Sequence, residues 1–248
     1  GWVPFRLPPW AQLRLTFSNQ APRLRYMSGG QTSVPLTVIA PTGPSGSAAA
    51  HHSDNPHGML MGLPGIKIAF PSSAADFKGL LIESIREPNP VVFFADLMLL
   101  GKKGDVPEGA YSIEFGKADV KREGTDVTVV AIGSTVPQAL EVADQLAETG
   151  VSVEVIDPRT LVPFDWDAVA KSVSKTGRLV AVDPNRETCG AASEIITQAV
   201  ERCWSQLKAQ PQRVTWPNVP MPYSPPLEKA VVSDLDDIRR AIELTLKS

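Results

Sequence analysis

The 248 residues hold 24 Lys and Arg against 27 Asp and Glu, and a net charge of -3 argues against nucleic acid or an anionic membrane surface as partner. Hydrophobic residues make up 43% and charged ones 21%, which is enough apolar material for a sizeable core. No apolar run approaches the roughly 20 residues of a membrane span, no apolar signal segment follows the start, and the length fits one large or two medium domains.

Residues 1–22 show neither a helical nor a strand period, and Pro4, Pro8 and Pro9 exclude a regular helix at the start. They read as an irregular arm. From Arg23 the pattern becomes orderly. Tyr26 to Gly30 reads as a turn before a strand from Val34 to Ala40. The loop from Gly43 to Gly58 follows and contains all three histidines, His51, His52 and His57. A short apolar strand, Ile66 to Phe70, ends at Pro71. Ser72 and Ser73 are cap candidates for a helix from Ala74 to Arg86, with Phe77, Leu80, Leu81 and Ile85 on one face. Pro88 and Pro90 stop it, and Val91 to Ala95 is a strand of the fully buried kind. Strand, helix and strand in this order predict a parallel crossover. Residues 101–125 are charged and glycine-rich, so they read as a connector with a domain boundary near residue 120.

The second half alternates regularly. Strands are expected at Val127 to Ile132, Val151 to Ile156, Arg178 to Val182 and Arg213 to Trp216. Helices are expected at Val136 to Glu148, Asp165 to Val173, Thr188 to Leu207 and Asp234 to Leu246, with a proline-rich loop from Pro217 to Pro226. The fold class is therefore α/β, with two open, largely parallel sheets covered on both faces. Residues 23–120 and 121–248 are the expected domains.

His52 is the foremost candidate for chemistry. An imidazole beside small residues can move a proton while leaving room for a ligand. His51 is its rival, because adjacent side chains on an extended loop point opposite ways. His57, before Gly58, reads as structural or solvated. Gly133-Ser134-Thr135 lies where a strand meets a helix, a place that can hold a phosphate but more often only turns the chain. Asp157-Pro158-Arg159-Thr160 follows a strand end, where Asp157 or Arg159 could bind a ligand, but it reads more readily as a hydrogen-bonded corner, with Arg159 paired across a subunit contact. Glu87 to Pro90 offers hard oxygen donors for a cation, although helix termination explains it equally. Cys189 and Cys203 lack a Cys-x-x-Cys spacing, so no zinc site is indicated and a reducing compartment is expected. No nucleotide-binding, hydrolase or metalloprotease motif appears.

An ordered set of short runs narrows the reading. It comprises Arg25-Tyr26-Met27-Ser28-Gly29-Gly30-Gln31, the Gly43 to Asp54 loop with its His-Ser, and Leu63-Pro64-Gly65-Ile66-Lys67. Asn89-Pro90-Val91-Val92-Phe93, Gly116-Lys117-Ala118, Val155 to Leu161 and Pro222 to Glu228 complete it. From about residue 20 onward the chain resembles the beta subunit of the thiamine-diphosphate-dependent 2-oxo acid dehydrogenases, the pyruvate, branched-chain and acetoin dehydrogenase family.

The resemblance implies part of a transketolase-like pyrimidine-binding domain followed by a transketolase C-terminal-like domain. It implies thiamine diphosphate shared with an alpha subunit, which holds the diphosphate through magnesium. Further implied partners are a second beta subunit, met through the C-terminal domain of a heterotetramer, and a lipoyl transacylase core. His52 matches the family's active-site histidine, which protonates intermediates and assists acyl transfer to the lipoyl group. A potassium site would fall on Leu36, Ser84, Ile85, Glu87 and Asn89, with Glu87 standing where the family has Asp. Asp54 replaces the family's Gln, and His51 stands where Gln or Tyr is common.

Family members extend further at the N-terminus, and that extension carries the glutamate that activates the cofactor. The expectation is an incomplete subunit, inactive alone, with residues 1–20 non-native through a shifted or truncated reading frame. A non-catalytic dimerisation and docking module is the alternative, and a single-chain transketolase or deoxyxylulose-phosphate synthase is a weaker third reading. Bacterial cytosol or mitochondrial matrix would house the protein.

Overall fold

A computed structural model describes residues 16–44 and 46–247, so the irregular start lies mostly outside the described residues. A π-helical turn, Thr16–Gln20, leads into α1 (Ala21–Met27), which begins with Pro22 in its first turn. Tyr26 and Met27 therefore close a helix, and only Ser28 to Gly30 form the expected turn.

Two sheets follow. The first contains β1 (Thr37–Thr42), β2 (Lys67–Ala69), β3 (Val91–Asp96) and β7 (Thr160–Val162), in the order β1-β3-β2-β7. Strands β1 and β2 run parallel to β3, and β7 runs antiparallel to β2. Helix α2 (His57–Met61) lies between β1 and β2, and α3 (Ala74–Arg86) makes the crossover from β2 to β3. Pro41 is tolerated inside β1 because that strand is at the sheet edge.

The second sheet has the order β4-β6-β5-β8-β9, with β4 (Asp119–Arg122), β5 (Val127–Ala131), β6 (Val153–Asp157), β8 (Leu179–Arg186) and β9 (Gln212–Trp216). Only β4 runs antiparallel, and it lies within the expected connector. Helices α4 (Thr135–Ala147), α5 (Trp166–Thr176), α6 (Ala191–Cys203), α7 (Pro225–Val231) and α8 (Leu235–Leu246) surround it. Helix α7 begins on Pro225 and Pro226, where the missing N–H groups cost nothing. Caps start three others: Ser73 Oγ accepts from Asp76 N, Asp165 from Ala168 N, and Asp234 forms a reciprocal box with Asp237. Each such cap contributes about 1 kcal/mol.

Period-two alternation splits the fully buried β3 between two cores. Val91 and Phe93 face α3 with Leu80 and Phe115. Val92 and Phe94 face a larger cluster that also holds Ile132 and Ile156 from around the second sheet and Ile195 from α6. One apolar core therefore spans both sheets. Val127, Val129, Val180 and Val182 fill a separate layer under α4 and α8. Among the described residues, no helix is long and apolar enough to cross a membrane.

Beside the shared core sits a charged corner. Asp157, at the end of β6, is fully buried and accepts hydrogen bonds from Ser72 Oγ and from Arg159 N at 2.8 Å. Lys121 Nζ lies 2.8 Å from Asp76, 2.7 Å from Asp119 and 3.7 Å from Asp157. Arg159 donates to the Lys117 and Ala118 carbonyls, so it is engaged within this chain. Burial pushes the Asp157 carboxyl up to about 6, against the pull of Lys121 and Ser72. A carboxyl raised in the folded state binds its proton more tightly there than when unfolded. Its ionisation therefore removes stability as pH rises from about 4 to about 6, by about 3 kcal/mol in total. Asp157→Asn is expected to abolish that loss. Urea unfolding at pH 4 and pH 8 should show the variant gaining about 3 kcal/mol on wild type across the interval. Parallel stability curves for the two proteins would refute the assignment.

Candidate active-site loop

The loop after β1 is closed at its base. Gly43 N donates to Asp54 O at 3.2 Å, and Thr42 Oγ1 donates to the same oxygen at 2.7 Å. Inside it, Ser47 and Ala49 adopt positive φ of 69° and 64°, a conformation that strains residues other than glycine. His52 N donates to Ala49 O at 3.2 Å, which turns the chain at the loop tip. The His51 and His52 side chains are both exposed, and neither ring bonds another described residue. Sequence and geometry thus leave both imidazoles reachable.

His57 is different. Its ring is fully buried, with Nε2 2.8 Å from Asp183 Oδ1 on β8. It packs edge-on against Phe70 and Phe94, with centroids 5.3 and 6.0 Å away. Asp183 Oδ2 accepts from Ala192 N at 3.0 Å, in the first turn of α6. The solvated alternative for His57 is thereby excluded, and the ring ties the loop's exit to the second sheet. Asn55 Nδ2 donates to Pro184 O, and Asp54 pairs with Arg186. Gly58 lies so close to this segment that a Cβ there would stand 2.5 Å from Cys189 O. Ser53 Oγ and His57 Nδ1 are buried without a hydrogen-bond partner among the described residues.

The Gly133-Ser134-Thr135 turn does not present an open anion site. Ser134 N donates to Asp96 Oδ2 at 2.8 Å, so the chain's own carboxylate sits at the α4 N-terminus. Burial raises the Asp96 carboxyl, opposed by its bonds from Ser134 and Met98.

The five expected cation ligands lie at the other end of β1 and β3. Thr37 Oγ1 reaches Ser84 O at 2.8 Å, and Val91 N donates to Leu36 O at 2.8 Å, which brings the three segments together. Ser84 and Ile85 are in the last turn of α3, where carbonyls lacking helical partners favour positive charge. The Glu87 carboxylate is already engaged, by Lys67 Nζ at 2.6 Å and by Asn89 Nδ2 at 2.7 Å. Burial would raise the Glu87 carboxyl, but Lys67 and Asn89 together hold it below its usual value. Among the described residues, no group of three or more His, Cys, Asp or Glu side chains could hold a metal ion.

Residues 4–103 match the transketolase pyrimidine binding domain, and residues 116–238 match the transketolase C-terminal domain. The chain is 43% identical over 220 residues to the acetoin:2,6-dichlorophenolindophenol oxidoreductase subunit beta of Bacillus subtilis, covering 89% of this chain and 64% of that one. The subunit of the same name from Cupriavidus necator is 42% identical over 229 residues, covering 92% and 68%. The pyruvate dehydrogenase E1 component subunit beta of Bacillus subtilis is 40% identical over 208 residues, covering 84% and 64%.

The chain belongs to the E1 beta-subunit family of 2-oxo acid dehydrogenases.

It spans 64% of the length of the two Bacillus subunits. A solved split-gene transketolase, described as an inactive beta4 tetramer, superposes with a TM-score of 0.74 at 21% identity. That match covers 96% of this chain and 72% of that one, and it supports the two-sheet fold. In this E1 beta chain the histidine loop is visible in the sequence, whereas what holds it is not. Asn55, Asp183 and Arg186 hold the loop and belong to no motif of their own. For Asp183 and Arg186 the one available signal is position, since Asp183 to Arg186 close a parallel strand at its C-terminal end.

Proposed function

We propose that this chain works as the beta subunit of a 2-oxo acid or acetoin dehydrogenase, with His52 as its proton-transfer residue. The observation that carries the reading is an exposed imidazole on a strained, anchored loop in a chain of this family. His52 suits the role because its ring is uncommitted among the described residues and can meet a group brought by another subunit. Thiamine diphosphate, when bound between this chain and an alpha subunit, supplies the electron sink for decarboxylation. Magnesium and the diphosphate are assigned to the alpha subunit, as the family resemblance implies. A potassium ion suits the corner of Leu36, Ser84, Ile85, Glu87 and Asn89. There the ion would compete with the hydrogen bonds that Leu36 O and Ser84 O accept from Val91 N and Thr37 Oγ1, and with the Lys67 ion pair on Glu87. A second beta subunit and a lipoyl transacylase complete the assembly.

The test is turnover. The full-length subunit is co-expressed with its alpha subunit, given thiamine diphosphate and magnesium, and assayed by dye-coupled oxidation. Pyruvate, branched-chain 2-oxo acids and acetoin are offered in turn. Turnover of at least one is expected with the alpha subunit and none without it. Absence of turnover on all of them, with no complex on gel filtration, overturns the reading.

A further inference from the structure

We infer that Glu228 and Arg186, both from the second half of the chain, are positioning residues that fix the turn carrying His52. The inference rests on His52 being the working histidine. Glu228 Oε2 accepts from Ser47 N at 3.0 Å, five residues before His52. Arg186 Nη1 pairs with Asp54 Oδ1, two residues after it. The turn is therefore bracketed by two charged side chains that do not touch His52 itself.

Each bracket holds something that would otherwise relax. Ser47 and Ala49 have positive φ, a conformation that is strained for a residue with a Cβ. Within the turn itself His52 has one main-chain bond, to Ala49 O. A charge-assisted bond to the segment offsets part of that strain and selects one turn geometry. Arg186 is itself fixed, since its Nε donates to Val219 O at 3.0 Å. Asp54 is fixed by the two bonds that its carbonyl accepts at the loop base. Glu228 is half-buried in the first turn of α7, so the Pro222 to Glu228 run delivers a carboxylate to the histidine loop.

The experiment compares Glu228→Ala, Glu228→Gln and Arg186→Ala in the full-length subunit. The first readout is the rate at which diethyl pyrocarbonate modifies His52, followed by mass spectrometry. The second is the split between kcat and KM in the assembled enzyme. Glu228→Ala and Arg186→Ala should each change the modification rate several-fold and lower kcat about tenfold with KM nearly unchanged, as expected when a reacting group is misplaced. Glu228→Gln should restore both readouts towards wild type, because its Oε1 still accepts from Ser47 N. Wild-type values for both alanine variants overturn the proposal, and so does a Gln variant as impaired as the Ala variant. If wild type itself shows no turnover, the functional reading fails while the modification rates still decide the positioning. A Glu228→Ala chain that does not fold leaves Arg186→Ala as the independent arm.

Discussion

His52→Ala is expected to lower kcat of the assembled enzyme by about 10²- to 10⁴-fold, the range for losing a positioned acid or base. That corresponds to roughly 3–5 kcal/mol of barrier. Thermal stability should not move, because the ring is exposed and bonds no other described residue. His51→Ala is the matched control, since His51 is equally exposed and adjacent in the chain. It should stay near the wild-type rate. Steady-state kinetics on both variants, with the melting temperature of each, separate three outcomes. A large loss confined to His52→Ala supports the assignment. The reverse pattern transfers the role to His51. Two unimpaired variants reduce the chain to a docking module. The size of the effect matters too, because the positioning variants are expected to lose only about tenfold.

Helix α3 is legible almost to the residue, because Ser73 caps it and Glu87-Pro88 ends it. The parallel strands β3, β5, β6 and β8 are legible as well, since strands buried on both faces are written as apolar runs. Strand β4 is hidden by its composition. Asp119-Val120-Lys121-Arg122 lies at a sheet edge and places Lys121 in a charged corner, so apolar patterning gives no sign of it. Strand β7 has three residues, too few for any period, yet it carries the second half of the chain into the first sheet.

The candidate site divides along the same line. The loop itself is visible from its small residues and histidines. Its supports lie 126, 132 and 181 residues away, at His57–Asp183, Asp54–Arg186 and Ser47–Glu228. No local pattern in one sequence links residues so far apart. His57 shows the same limit, because a histidine before a glycine in a polar loop carries no mark of burial. Only the packing of Phe70 and Phe94 around it reveals that it belongs to the core.

That burial sets the second large effect, an expected loss of about 3–5 kcal/mol in Asp183→Ala. Both side chains of the His57–Asp183 pair are 0% exposed. Removing the carboxylate strands His57 Nε2 and the Ala192 N–H, and His57 Nδ1 already lacks a partner among the described residues. The N-terminus of α6 also loses the negative charge that it favours. Against a typical total stability of about 5–15 kcal/mol, such a loss is severe. Asp183→Asn should cost much less. Its Oδ1 can still accept from Ala192 N, and its amide can face His57 Nε2. Combining His57→Leu with Asp183→Ala removes both buried polar groups, so the double variant should recover part of the loss. The coupling should be on the order of 1–3 kcal/mol in a double-mutant cycle read by urea unfolding. A loss under about 1 kcal/mol in Asp183→Ala, or strictly additive effects, would show that the pair does not join the loop to the second sheet.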